Sequence, residues 1–249
     1  MAGGDFDYDA HGGGYASRRR ADPRIEQVVH DTLGAARTVV NVGAGTGSYE
    51  PSDRFVVAVE PSAMMRAERA PDRAPVVASF AETLPFLDAA FDAAMAMVTV
   101  HQWSDLDAGL AELRRVSRDR VVVLTFDPDA LEMFWLDEYA PEITAVEQRR
   151  MPAIADVQAL LGPTAWVVDV PIPADCTDGF GEAFFGRPER MLDPAVRRAQ
   201  SAWGFVDDAV EMRFAERLAA DLDSGAWDAR HGHLRRLPSY VGSLRIIVG

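Results

Sequence analysis

The chain has 249 residues, 48% of them hydrophobic, which suits one large domain or a domain with a cap. Its 39 acidic residues against 25 basic ones leave a net charge of −14, which argues against a nucleic-acid substrate because phosphate binding needs a basic surface. Cys176 is the lone cysteine, so an intrachain disulfide and a thiolate metal cluster are excluded. No apolar run reaches the ~18 residues of a membrane span and no secretory leader is visible, so a cytoplasmic protein is expected.

Residues 1–14 are Gly-rich and polar without periodicity and are expected to form a mobile tail. Three adjacent arginines, Arg18 to Arg20, then precede a predicted helix. Asp22 and Pro23 supply its N-cap and first-turn proline, Ile25, Val28, Val29 and Leu33 its apolar face, and Gly34 its stop. The run Thr38-Val-Val-Asn-Val42 is rich in β-branched residues and predicts a buried strand. It leads into Gly43, Gly45 and Gly47 at alternate positions, where the main chain can take φ > 0 and a ligand can come close. A second strand, residues 55–59, ends in Glu60, whose carboxylate can accept hydrogen bonds from both hydroxyls of a ribose. Strand, glycine turn, strand and acid point to a site for an adenosine-bearing cofactor. The dinucleotide fingerprint wants its third glycine where this chain has Ser48, which disfavours an NAD-dependent oxidoreductase; with no lysine in the sequence, a phosphate loop is also excluded.

Beyond Glu60, a helix is predicted from Pro61-Ser62 to about Arg69, a third strand at residues 76–78 and a fourth at 93–98. An amphipathic helix at 105–117 and a fifth strand at 120–126 follow. The segment from Ser48 to Arg54 is short for a helix and Pro51 interrupts it, so an irregular first crossover is expected. Strict alternation of strand and helix predicts a doubly wound parallel sheet. His101 directly follows the fourth strand, and ligands in open α/β sheets bind outside the carboxyl ends of the strands. Histidine is a competent base near neutral pH; the alternative is that His101 and Trp103 shape the pocket or cap the next helix. A metal site is not expected: His231 and His233 cannot share one helix face, and no third ligand is evident.

The glycine turn resembles motif I of the class I S-adenosylmethionine (SAM)-dependent methyltransferases, with Glu60 as their acidic residue after the second strand. Ala81-Glu82-x-Leu84-Pro85-Phe86 with Phe91-Asp92, Val100-His-Gln-Trp103 and Glu112-Leu-Arg-Arg-Val116 are similar to their type 11, menaquinone-biosynthesis-like branch, over roughly residues 15–126. The resemblance implies a Rossmann-like, doubly wound, seven-stranded and mostly parallel sheet. Its last strand, residues 244–248, would lie antiparallel beside a sixth, residues 166–170. The resemblance also implies SAM as cofactor, with Tyr15 and Arg20, or Arg19, reaching over it. The implied binding set is Asn41, Gly43, Ala44, Gly45, Gly47, Glu60, Pro61, Ser62, Met65, Ala81, Glu82, Val98 and Thr99, with Ala81 and Glu82 in the stretch of the adenine contact. Phe80 departs from the acidic or small residue that many relatives carry there.

The second half carries fewer signals. Residues 131–150 are aromatic-rich and partly helical, and residues 153–161 predict a helix ending at Gly162-Pro163. Residues 174–240, between the last two strands, are too long for a structureless loop. They carry Phe180, Phe184, Phe185, Trp203, Phe205, Phe214 and Trp227, with helical stretches near 194–202 and 206–222. This segment reads as a helical, substrate-binding cap inserted late in a cofactor domain made of residues 15–173 and 241–249. Most of these aromatics are expected to pack the cap onto the sheet and a few to line a pocket. Trp135 and Phe184, with His101 and Trp103, are the expected substrate contacts. The expected function is methyl transfer from SAM to an O, N or C atom of a small organic molecule, in bacterial secondary metabolism. The alternative is a SAM-binding protein of the same fold that transfers no methyl and serves a rearrangement or a sensor.

Overall fold

The computed structural model of the protein describes residues 20–249, so the tail at 1–14, Tyr15 and Arg19 lie outside the described residues. In chain order the strands are β1 (Thr38–Val42), β2 (Phe55–Val59), β3 (Val76–Val77), β4 (Phe91–Met97), β5 (Ser117–Phe126), β6 (Trp166–Asp169), β7 (Ile172–Pro173), β8 (Ser239–Tyr240) and β9 (Leu244–Val248). The main sheet has the order β3-β2-β1-β4-β5-β9-β6. β1 to β5 pair in parallel, and β9 lies antiparallel between β5 and β6. Six strands therefore share one direction and the last opposes them, as the resemblance implies. Strand order turns back between β1 and β4, and the crevice outside the carboxyl ends of such a pair is where ligands bind in open α/β sheets.

Alternation along the strands divides the core in two. Val39, Met95, Val122, Leu124 and Ile246 face one side, and Val40, Ala94, Ala96, Val121, Val123 and Ile247 the other. The second face is covered by α3 (Leu106–Val116) and α6 (Ile154–Leu161), which place Leu110, Leu113, Val157 and Leu161 on it. On the first face lies α1 (Pro23–Thr32), with Ile25 and Val29 fully buried. Asp22 caps α1 by accepting the Arg24 amide at 3.0 Å, and Gly34, at φ +59°, follows its end.

Between β1 and β2 the chain runs through turns without a helix. Gly43, Gly45, Gly47 and Tyr49 all take positive φ there, and a right-handed helix cannot be built on such backbone. The helix α2 (Ala63–Ala67) is shorter than predicted, because Arg69 leaves it to enter a buried network under the glycine turn.

The remaining helices are α4 (Leu136–Tyr139), α5 (Pro141–Arg150), α7 (Pro194–Arg198), α8 (Asp208–Asp223) and α9 (Ala226–His231). The sequence reading did not foresee α9, nor the two-residue ribbon of β7 and β8 that brackets the insertion. Phe180, Phe184, Phe185, Trp203, Phe214 and Trp227 join the same apolar cluster as the first sheet face, together with Trp135 and Tyr139. The insertion thus shares the sheet's core, and Phe134, Leu136, Ile143 and Val146 belong to the same cluster. His231 pairs with Glu138 at 2.8 Å and packs against Trp227. No described helix is long and apolar enough to cross a membrane.

Candidate active site

The glycine turn is built by contacts on both sides. A Cβ on Gly43 would lie 2.1 Å from the Thr99 hydroxyl oxygen, so only glycine lets the turn sit against the end of β4. A Cβ on Gly45, at φ +50°, would meet nothing within 4 Å, which leaves an open face. Glu60 closes the turn from β2: its Oε2 accepts the Gly45 amide and its Oε1 the Ser62 amide, each at 2.8 Å. Burial pushes the Glu60 carboxyl above its ordinary value, against the downward pull of these two amides. Each oxygen keeps capacity for a further donor. Beneath the turn, Arg69 donates to the Gly45 carbonyl at 3.0 Å and to both oxygens of Glu50 at 2.8 Å. Asn41 donates to Glu50 at 3.1 Å, which places Asn41 in the support of the turn.

Above the turn lies a partly open cavity. Gly43, Ala44, Gly45, Glu60, Met65, Val98 and Thr99 line it, as do Thr46, Ser48, Tyr49, Met97, Gln102 and Asp178. A second cavity adjoins it and shares Val98 and Gln102. Its walls are largely apolar, with Phe126, Leu131, Phe134, Leu136, Ile143, Met151 and Phe180; its polar groups include His101, Thr144, Glu147, Glu182, Gln200, Ser201 and Ser243. Val98, at the junction, takes φ +52°, a conformation that costs a β-branched residue roughly 1–3 kcal/mol and persists where the surroundings impose it.

Among the remaining implied cofactor residues, Ser62 caps α2, its hydroxyl accepting the Met65 amide at 3.2 Å. The Pro61 carbonyl accepts from Arg66 at 2.7 Å. Gly47 packs on Glu50, whose Oε2 would lie 2.9 Å from an added Cβ. Arg20 is exposed at the start of the described chain. Ala81 is buried in the core cluster of the opposite sheet face. Glu82 Oε1 accepts the Ser104 amide and hydroxyl, both at 2.8 Å, and the Asp105 amide at 3.2 Å, which pins the start of α3.

Three of the four expected substrate contacts lie outside the described lining of these two cavities. The Trp103 ring fills the space over Gly109 of α3, where an added Cβ would lie 2.3 Å from it. The Trp135 indole donates to the Phe185 carbonyl at 3.1 Å and its ring stands edge-on to Tyr139 and Trp227. Phe184 is buried under Arg187, 5.5 Å from the ring centre. His101 does border the second cavity, in the one-turn helix Val100–Gln102, with its Nε2 3.3 Å from the Gln102 amide nitrogen. Glu182 was not singled out by the sequence. It is buried at the same cavity, where the Ser243 amide donates to both its oxygens at 3.0 Å and the Ser243 hydroxyl to one at 2.7 Å. Burial raises its pKa against these bonds. No arginine or lysine is among the described residues lining either cavity.

Comparison with known proteins gives this geometry a family context. Residues 40–125 match a family model described as a methyltransferase domain. No curated protein matches the chain. Among solved structures, one described as a candidate methyltransferase of an antibiotic biosynthesis pathway from Anabaena variabilis is similar with TM-score 0.85 and 28% identity, over 92% of this chain and 98% of that one. A SAM-dependent methyltransferase from Thermotoga maritima, described as a candidate histamine N-methyltransferase, shares the fold at TM-score 0.58 and 17% identity, over 97% of each chain. The geranyl diphosphate C-methyltransferase of Streptomyces coelicolor, solved with Mg2+, geranyl diphosphate and S-adenosyl-L-homocysteine, shares it at TM-score 0.50 and 16% identity, over 90% of this chain and 76% of that one.

Proposed function

We propose that the chain, whose residues 40–125 match a methyltransferase domain, methylates with SAM an O, N or C atom of a small, largely apolar and non-anionic molecule. The observation that carries the reading is the pair of adjoining cavities. One is built on the glycine turn and Glu60, the other on apolar walls, and they meet at Val98 and Gln102. Bound SAM supplies an electrophilic methyl on a sulfonium. What the chain adds is mainly orientation and exclusion of water, and orientation alone contributes ~7–11 kcal/mol to such displacements.

In this reading Glu60 accepts the ribose hydroxyls and Gly45 lets the cofactor approach the main chain. Residues 127–151 and the insertion at 174–240 enclose the acceptor. His101, beside the junction, takes the proton of a hydroxyl or amine acceptor. Glu147 and Glu182 in the described lining, and the lack there of arginine and lysine, favour a neutral or cationic acceptor over an anion. The Anabaena neighbour's assignment to an antibiotic pathway supports a place in bacterial secondary metabolism.

The test is incubation of the protein with methyl-labelled SAM and a panel of aromatic and aliphatic alcohols, amines and carboxylic acids. Label is expected in alcohols or amines. Label confined to the acids overturns the acceptor class. SAM binding with no transfer to any fraction of a cell extract favours the non-transferring alternative.

A further inference from the structure

We infer that Asp178, carried by the insertion, completes the cofactor site by accepting a hydrogen bond from the ammonium group of the SAM methionine moiety. The inference rests on the cofactor reading above and adds a residue that lies outside the matched domain, residues 40–125.

Asp178 is 129 positions from Tyr49 in sequence, yet both line the glycine-turn cavity with Glu60. The Asp178 side chain is fixed: the Tyr49 hydroxyl donates to its Oδ2 at 2.8 Å and the Gly179 amide to its Oδ1 at 2.7 Å. Its backbone is fixed too. The Thr177 amide donates to the Asp22 carboxylate at 3.0 Å, and Arg187 donates to the Cys176 carbonyl at 2.9 Å. Tyr49 meets Asp178 from φ +64°, a conformation that bulky residues seldom take. A carboxylate held in this way is preorganised at the wall of the glycine-turn cavity.

The cavity therefore presents two carboxylates on different elements. Glu60 stands at the tip of β2, next to β3 in the sheet. Asp178 stands on the insertion, two residues before Phe180, where the chain begins to line the acceptor cavity. SAM is likewise two-ended: a nucleoside with neutral hydroxyl donors, and an amino acid with a cationic ammonium. Glu60 matches the ribose end, so the acid nearer the acceptor side matches the amino-acid end. An ammonium brings three donors, and a charge-assisted bond to a fixed carboxylate is about twice as strong as a neutral one.

Calorimetric titration of the full chain with SAM, S-adenosylhomocysteine and 5′-methylthioadenosine, which lacks the amino acid, separates the readings. Asp178→Asn is expected to weaken SAM and S-adenosylhomocysteine by about tenfold or more while methylthioadenosine binds as to the unaltered protein. Equal weakening of all three ligands makes Asp178 a strut of the turn and overturns the assignment. Loss for SAM alone moves Asp178 to the sulfonium and also overturns it, as does no change at all. Failure of the unaltered chain to bind either SAM or S-adenosylhomocysteine removes the cofactor reading itself, and this inference with it.

Discussion

Gly45 donates its amide hydrogen to the Glu60 carboxylate at 2.8 Å, so the glycine turn and the acid at the end of β2 form one hydrogen-bonded unit. Glu60→Ala removes this tie as well as the acceptor for two ribose hydroxyls, and hydrogen bonds to charged groups contribute about 1.5–3 kcal/mol each. SAM affinity is expected to fall at least about tenfold, with the fold retained. Gly45→Val, whose side chain would enter the open face, is expected to abolish binding. Calorimetry with circular dichroism checks both. Normal SAM affinity in Glu60→Ala counts against the site as drawn.

The same acid sets a pH dependence. Burial raises the Glu60 pKa above its ordinary 4.5 in the folded protein. A raised acid pKa makes its contribution to stability complete below the unfolded value and lost as pH rises through the folded one. Stability without cofactor, taken as the difference between the protein and Glu60→Gln, is therefore expected to fall upward from about pH 4.5. SAM affinity is expected to rise over the same window, because the ionised carboxylate is the better acceptor. Urea denaturation and SAM titration across this range test the two opposite slopes. Parallel slopes refute the assignment.

Arg69 and Glu50 pair with side chains each only 4% exposed, and Arg69 also donates to the Gly45 carbonyl, so neither charge is expendable alone. Arg69→Met strands a buried carboxylate and is expected to cost about 3–5 kcal/mol. Arg69→Met with Glu50→Gln should recover much of that loss. Denaturation of the single and double variants decides it, and additive losses would show that the two do not act as a pair.

Much of the cofactor half was legible in the sequence because it rests on local signals. The β-branched runs of β1 and β2, the glycines at positions 43 and 45 and the Asp22-Pro23 cap each work over a few residues. Positive φ at Gly43, Gly45, Gly47 and Tyr49 also accounts for the missing first helix, which Pro51 and the short spacing had indicated. What could not be read depends on distant partners. Asp178 gains its place from Tyr49, and Glu182 from Ser243, 61 positions away. Glu82 and Trp103 match a family pattern, but their partners could not be read from it: Glu82 bonds Ser104 and Asp105, and Trp103 packs over Gly109. The ribbon of β7 and β8 has two residues per strand, too few to show a period.

Val98 offers a test of strain at the junction of the cavities. In ordinary backbone glycine is less stable than alanine by about 0.5–1 kcal/mol. At φ +52° the order should reverse, because only the alanine Cβ pays the left-handed penalty of roughly 1–2 kcal/mol. Val98→Gly is thus expected to melt higher than Val98→Ala. The usual order in thermal denaturation would mean that the turn relaxes in solution.

His101 is where geometry and chemistry have to be separated by kinetics. It borders the acceptor cavity beside Val98 and Gln102, the residues shared with the cofactor cavity. A base there is useful only if the acceptor must lose a proton. If it does, His101→Ala is expected to lower turnover by about 10²–10⁴-fold. It should also erase the acidic limb of the pH–rate profile, since imidazole accepts a proton only in its neutral form. SAM affinity should stay nearly unchanged, because the described lining of the cofactor cavity includes Gln102 but not His101. If His101 only shapes the wall, affinity or stability should suffer and the acidic limb should persist. His101→Gln sharpens the comparison, because glutamine keeps a polar side chain of similar reach and cannot take the proton. Rescue of turnover by glutamine would assign His101 to positioning. A carbon acceptor activated by its own ring would leave both variants active, and the pH profile of the unaltered protein would then already lack the limb.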